Sequence, residues 1–305
     1  MIKREYYDSV ESWREGRKRG IGGSAVGTIL GVNPWETAWE HWARLKGELP
    51  HKEENAAMKL GHLLEPVVVS LFADETGASI DPDTAQDFTV VNDDYPHFVA
   101  SPDRIGTLNG EPFVLECKTT QQRVDEDALP KSWYCQLQFY MMVADINSGA
   151  IAWLINGRDF SYRWFERDER FCEWMSSVLE EWWQRHIIGD EPPEVTAKDV
   201  DIAYPQSVAT SVELPSEGYN AAIRLKDIRA EIKALETEEE QLVGYIKVLL
   251  KDSEVAVFKG EKVATWKTSK PRETFDSKRF KAEHPEMVGD YTKVSPGTRT
   301  FLLKI

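Results

Sequence analysis

Three neighbouring stretches near the middle of the chain restrict its fold more than any other feature. Residues 112–119, "PFVLECKT", read as a strand; residues 130–145, "PKSWYCQLQFYMMVAD", read as a helix; and "AIAWLIN", beginning at Ala150, reads as another strand. Apolar positions switch between the two-residue period of a strand and the 3.6-residue period of a helix, so strands and helices are interleaved in sequence. Such interleaving implies an α/β core. Pro130 suits a helix start, and Gln136 and Tyr140 fall one turn apart on one face of that helix.

The first of these strands carries an unusual side. In an extended chain Glu116 and Lys118 point one way while Leu115 and Cys117 point the other. Two readings are open for a charged strand face. It is either the solvated face of an antiparallel strand with an incidental ion pair, which stabilises little, or part of a site. Its neighbours decide between them.

Before it, helices are expected over Tyr6 to Arg17, from near Ser24 after the glycine-rich "RGIGGS", and through "WETAWEHWARLKG", where Trp35, Trp39 and Trp42 form a stripe ending at Gly47. That stripe reads as core. "AAMKLGHLLEPVVVSLFADETG" predicts a long amphipathic helix stopped by Gly77, with Glu65 among apolar neighbours and Pro66 marking a kink or a start. Strands are expected at 86–91, 97–101 and 112–119, with "LNG" in the loop between the last two. After "AIAWLIN" and "FSYRWFER" comes a helix over about 168–188.

Beyond residue 195 the character changes. A charged helix is expected over 216–251, with Ile223, Ile228, Ile232, Leu235 and Leu242 as a packing stripe. A hairpin turning at Lys259-Gly260 follows, and the strand-like "RTFLLKI" closes the chain. We therefore expect a domain over 1–195 and an extension over 196–305, the latter holding the long helix and a small basic β-containing module.

A net charge of −15 at first argues against a nucleic-acid partner. Residues 259–305, however, hold eleven Lys/Arg against six Asp/Glu, a balance of +5 that leaves −20 for residues 1–258. A local basic surface is compatible with that sum. No apolar run approaches membrane-span length, the N-terminus lacks the apolar core of a secretory signal, and Cys117, Cys135 and Cys172 are dispersed, so the expectation is a soluble cytoplasmic protein. His41, His51, His62, His97, His186 and His284 show no paired zinc spacing.

Hydrolysing a phosphodiester with a hard divalent cation needs oxygen ligands, a group to orient or activate water, and something to hold the neighbouring phosphate. "ASPDRI" supplies Asp103 at a strand end, "LECK" supplies Glu116 and Lys118, and the long helix supplies Glu65. The carboxylates would repel one another unless a cation sat among them, and the backbone carbonyl of Cys117 is a further oxygen ligand.

In this order, "RKRGIGGS" (17–24), "GHLLE" (61–65), "SPD" (101–103), "ECK" (116–118) and "QLQFY" (136–140) resemble the lambda-exonuclease-like, YqaJ-type viral recombinase nucleases of the PD-(D/E)XK superfamily. The resemblance covers roughly residues 10 to 190. It implies a nuclease core with a mixed central sheet flanked by helices. It implies that Asp103, Glu116 and the Cys117 carbonyl bind Mg2+, or Mn2+ in its place, with Glu65 assisting. Lys118 would be the catalytic lysine and Gln136 would help arrange the site, with Gln138 as the alternative glutamine. Arg17, Ser24 and Ser101 would form the pocket for a 5′-terminal phosphate. For Ser24 a plain helix N-cap stands beside that role, since both use the donors of a helix start.

The activity implied is 5′-to-3′ degradation of linear double-stranded DNA, leaving 3′ single-stranded tails for phage-type homologous recombination in a bacterial host cytosol. The partners implied are DNA ends, a single-strand annealing recombinase and further copies of the chain in a ring, as a trimer or tetramer. Two departures stand out: Arg104 occupies a position that is often glycine in the family, and the extension has no counterpart in the minimal enzyme. For that extension a structural brace stands beside DNA contact through residues such as Lys259, Lys262 and Trp266. Two other functions fit the same residues. One is a structure-specific endonuclease, and the other is a catalytically silent DNA-binding or assembly module. Three scattered cysteines exclude a four-cysteine iron–sulfur variant of the fold.

Overall fold

The computed structural model describes residues 1–50, 55–295 and 297–305, in two units, Met1–Ala203 and Tyr204–Ile305. The first unit opens with a strand where the sequence pattern suggests only a helix. Ile2–Tyr6 (β1) precedes a shorter helix, Val10–Arg17 (α1), whose start is fixed by the Ser9 side chain accepting from the Ser12 amide. Ile21–Gly22 (β2) leads directly into Gly23–Ile29 (α2), followed by Ala38–Leu45 (α3) and Ala56–Thr76 (α4). Helix α3 begins in a reciprocal cap between Thr37 and Glu40. Of the expected tryptophan stripe, Trp39 and Trp42 are buried while Trp35 lies outside the helix and is exposed.

Helix α4 runs unbroken through Pro66 and ends where Gly77 turns left-handed at φ 70°. Its length and composition are those of a segment able to cross a bilayer, which corrects the expectation that no apolar run comes near that length. In the fold its Val68 and Phe72 are fully buried against strand residues Phe113 and Leu115. Burying each such side chain stabilises by about 1.5–3 kcal/mol.

Next come Ser79–Ile80 (β3), a 3-10 turn at Pro82–Ala85, Phe88–Asn92 (β4), Phe98–Val99 (β5), Arg104–Leu108 (β6) and Glu111–Thr120 (β7). Strand β6 is absent from the sequence expectation, and "LNG" is the turn that joins it to β7, with Asn109 and Gly110 at φ 53° and 87°. Helix α5 (Lys131–Ala144), β8 (Ser148–Ile155), β9 (Asp159–Glu166) and α6 (Glu169–Trp182) follow, the last widening into a π turn at Trp183–Ile188. A short helix, Val200–Ala203 (α7), ends the unit. Residues 196–203, read from sequence as part of the extension, belong with this unit: buried Asp199 accepts from the Thr37 hydroxyl at 2.5 Å.

The central sheet has the order β3-β6-β7-β8-β9, with β7 and β8 parallel and the other pairs antiparallel. Helix α5 makes the β7-to-β8 crossover that a parallel pair requires. Because side chains alternate, Val114 of β7 with Ile151 and Trp153 of β8 joins the cluster holding α5, whereas Phe113 and Leu115 with Ala150, Ala152 and Leu154 join the one holding α4. Both faces of β7 are therefore covered by a helix. Beside this sheet, β1 pairs antiparallel with β4, and β2 pairs in parallel with β5 through Ile21↔Phe98 and Gly22↔Val99.

The second unit contains a 35-residue helix, Ser216–Leu250 (α8), and an antiparallel hairpin of Val255–Phe258 (β10) and Glu261–Thr265 (β11). The hairpin turns at Lys259 and Gly260, both at positive φ, as the dipeptide predicts. Two short helices, Ser277–Glu283 (α9) and Pro285–Val288 (α10), follow. Two expectations are corrected. The apolar stripe of α8 is exposed rather than packed, with Leu235 at 65%. "RTFLLKI" forms no strand, because among the described residues no neighbouring strand offers it a ladder.

Candidate active site

Glu116 and Lys118 lie on the α5 side of β7, so the solvated-face reading of this strand fails. Glu116 is 2% exposed, and Lys118 Nζ lies 2.6 Å from its Oε1. The same ammonium donates to Gln136 Oε1 at 2.9 Å, and Gln136 Nε2 donates to the Tyr140 hydroxyl at 2.9 Å. The helical spacing of Gln136 and Tyr140 makes this relay, since one turn of α5 stacks the two side chains over the strand. Gln138 points elsewhere: it donates to the Glu166 carbonyl and accepts from the Asp168 amide. Gln136 is thus the glutamine at the site.

Asp103 comes from the start of β6. In register Arg104 pairs with Leu115, so β7 continues past the point where β6 begins. The Cys117 amide, with no β6 residue opposite it, donates to Asp103 Oδ2 at 2.6 Å, a side chain taking the place of a missing strand neighbour. An extended residue directs its N–H and C=O to the same edge, so the Cys117 carbonyl faces the Asp103 side as well. Burial raises the Asp103 carboxyl well above the usual range, and the charges of Glu116 and Glu65 add to it. Burial also raises Glu116, against the pull of Lys118. Burial works to lower Lys118, yet Glu116 and Asp103 overcome it and the lysine is raised, so it stands as an ammonium beside the acids.

Glu65, on α4, is close enough to act on both carboxylates but is paired with Arg104 at 2.6 Å. Among the described residues no three His, Cys, Asp or Glu side chains are already gathered around one metal position. Lys118, the Cys117 amide and Arg104 each hold one of the acids. The donor set nevertheless suits a hard cation: the ligands are oxygens, and Glu116 Oε2 is buried with no partner. His62 lines the groove beside Glu65, while His51 lies outside the described residues.

The residues read as a phosphate pocket gather near this acidic end. The parallel pairing of β2 and β5 carries both chains in one direction past Gly22 and Val99, to Ser24 and to Ser101. Arg17 Nη2 donates to Ser24 Oγ at 3.3 Å. Gly22, not Ser24, is the N-cap of α2, so the plain capping role for Ser24 does not hold. Ser101 Oγ is buried without a partner. It lines a groove of about 470 Å³ with Trp13, Arg14, Glu65, Asp103 and Arg104.

Sequence reasoning missed Trp13, whose ring lies 4.4 Å from the Arg17 guanidinium carbon, and the Arg104–Glu65 pair. The Trp13-to-Arg17 spacing of one helical turn was the available signal for the first. Nothing local signals the second.

A mixed sheet flanked by helices brings Asp103, Glu116 and Lys118 together beside β7, the arrangement that the sequence resemblance to PD-(D/E)XK nucleases implies. Residues 12–147 match the model of the YqaJ-like viral recombinase domain family. It is similar to the YqaJ protein of Bacillus subtilis (strain 168), with 27% identity over 303 residues covering 95% of this chain and 92% of that protein. Among solved structures it is similar to LHK-Exo in complex with dAMP, at 15% identity and a TM-score of 0.49, covering 65% of this chain and 100% of that one. LHK-Exo is an alkaline exonuclease from Laribacter hongkongensis. A phage-related exonuclease from Haemophilus somnus 129PT is similar at 13% identity and a TM-score of 0.38, covering 56% and 96% of the two chains.

Proposed function

We propose that the protein is a Mg2+-dependent exonuclease that degrades linear double-stranded DNA from 5′ ends and leaves 3′ single-stranded tails for recombination. The observation that carries this reading is the placement of Lys118 between Glu116 and Gln136, next to Asp103 and beside the Arg17–Ser24 pair. Asp103, Glu116 and the Cys117 carbonyl would hold the cation, with Glu65 nearby. Mn2+ suits the same oxygen ligands. When bound, the ion supplies charge stabilisation to the phosphate and acidifies water.

The chain's own residues account for the rest. Lys118 is kept as an ammonium by its two acidic neighbours and aimed by Gln136, which suits it to orient the attacking water and to steady charge on the phosphate. Tyr140 holds Gln136 in that orientation. Arg17, spread over Trp13, and the hydroxyls of Ser24 and Ser101 suit a terminal phosphate, and Ser101 has an unpartnered hydroxyl to offer. A pocket for a 5′-phosphate beside the metal position gives the polarity of digestion.

By the same reading the enzyme acts in the bacterial cytosol as a ring-like homo-oligomer beside a single-strand annealing protein. The nuclease core is the first unit, Met1–Ala203, and the rest is an accessory region.

The experiment compares wild type and Lys118→Ala on linear duplex DNA with Mg2+, using a strand-specific label and either a 5′-phosphate or a 5′-hydroxyl end. Loss of the 5′ strand, faster with phosphate and absent in the variant, supports the assignment. A covalently closed circle cut by wild type indicates an endonuclease instead, and equal DNA loss with both proteins overturns catalysis at this site.

A further inference from the structure

Arg104 sits where a small residue would leave the acidic groove open. It is the first residue of β6, its backbone pinned opposite Leu115, and its side chain is 12% exposed. From this fixed base one guanidinium nitrogen reaches Glu65 Oε1 at 2.6 Å and also donates to the Asp103 carbonyl. Asp103, Glu116 and Glu65 face Lys118 and Arg104 here, with Arg17 acting on Glu116 from the α1 side and Arg14 lining the groove. Lys118 is committed to Glu116 and Gln136. Arg104 is the side chain paired with the third carboxylate, in the groove that His62 and Arg14 also line.

We propose that Arg104 is a positioning residue that competes with the divalent cation for Glu65. Paired with Arg104, Glu65 gives up most of its attraction for a metal, and Asp103, Glu116 and the Cys117 carbonyl are left as the ligand set. Released from Arg104, Glu65 adds a third carboxylate, and the ion is held more tightly. The arginine thereby keeps metal affinity below what the three acids would otherwise give. The inference rests on the metal-nuclease reading of the site.

The test is Mn2+ binding to the full chain without DNA, followed by the electron paramagnetic resonance of free Mn2+ at fixed pH. Wild type, Arg104→Gln, Glu65→Gln, the double variant and Asp103→Asn are compared, with circular dichroism to confirm folding. Losing an outer partner that supports a ligand costs about 10–100-fold in metal affinity; Arg104 competes for Glu65 instead of supporting it, so the opposite sign is expected, a tightening of about ten-fold in Arg104→Gln. In the Glu65→Gln background the same substitution should change nothing, because the competition runs through that carboxylate. Equal or weaker binding by Arg104→Gln overturns the proposal, as does a tightening that persists in full without Glu65, which would be a general charge effect. Should Arg104→Gln misfold, Arg104→Lys keeps the charge but loses the planar fork, and an affinity unchanged from wild type then counts against competition through the fork. Wild-type protein that binds no Mn2+ overturns both the metal reading and this inference. Binding abolished by Asp103→Asn but indifferent to Arg104 overturns this inference alone.

Discussion

Gly23 lies flat against the ring of Tyr140: a Cβ on this glycine would stand 2.2 Å from one ring carbon and 2.8 Å from the hydroxyl. Tyr140 is 2% exposed and cannot swing aside, so α2 approaches α5 this closely only with glycine at the contact. The phenol whose hydroxyl receives Gln136 is therefore held in place from the α2 side.

Gly23→Ala should push the Tyr140 ring and, through Gln136, shift Lys118. Overpacking of this kind costs about 1–3 kcal/mol. A lowered melting temperature together with a loss of exonuclease rate larger than that of Tyr140→Phe is the expected result. A variant with wild-type stability and rate would show that the contact relaxes freely.

Gln136→Leu keeps the volume but removes the oxygen that aims Lys118. Removal of one preorganised polar group of an active site costs about 100-fold or more in rate. We expect kcat to fall on that scale, with KM for DNA ends changed little and the fold intact by circular dichroism. A loss confined to KM would place Gln136 in DNA binding instead.

Trp13→Ala removes the surface on which Arg17 rests. Cation–π contacts are worth about 0.5–2 kcal/mol, so the preference for a 5′-phosphate over a 5′-hydroxyl should drop by about two- to thirty-fold while Trp13→Phe retains part of it. The ratio of the two initial rates measures this. An unchanged ratio in Trp13→Ala would free Arg17 from any dependence on the ring.

Asp199 links the end of the first unit to the start of α3 and is fully buried. Burial acts to raise its carboxyl, but hydrogen bonds from Thr37 and Thr196 prevail and hold it below its ordinary 3.8. A depressed folded pKa means stability that is present above the unfolded value and lost as pH falls through the folded one. Asp199→Asn should therefore destabilise by about 1–3 kcal/mol at pH 7, with the gap to wild type closing below about pH 4. Urea unfolding at pH 7 and pH 3.5 tests it, and a gap that widens in acid would refute the sign.

The elements legible in the sequence were those with strong local patterns. Strand β7 and helix α5 carry clear periodicities, and Glu116, Lys118 and Gln136 follow from them. What was hidden depended on partners distant in sequence. Strand β1, "IKREY", has too little apolar alternation to be read alone and exists because β4 pairs with it. "RTFLLKI" has a strand-like composition and, among the described residues, no partner strand, so it forms none. The burial of both faces of β7 could not be read from the strand, since it is set by α4 and α5 together. Arg104 and Glu65, far apart in sequence, meet only because β6 begins on α4's face of the sheet.

The bond from the Cys117 amide to Asp103 couples two selective pressures at one position. A change that removes the carboxylate to silence chemistry also leaves a backbone donor unpaired in a partly covered strand, at a cost of about 1–3 kcal/mol. Asparagine, isosteric with aspartate, keeps an acceptor oxygen at the same reach from that amide. Inactivating drift at residue 103 is thus channelled toward one conservative substitution, while more radical changes are filtered by foldability before their effect on DNA matters. Descendants that lose activity should tend to do so first elsewhere in the site, with Asp103 still in place.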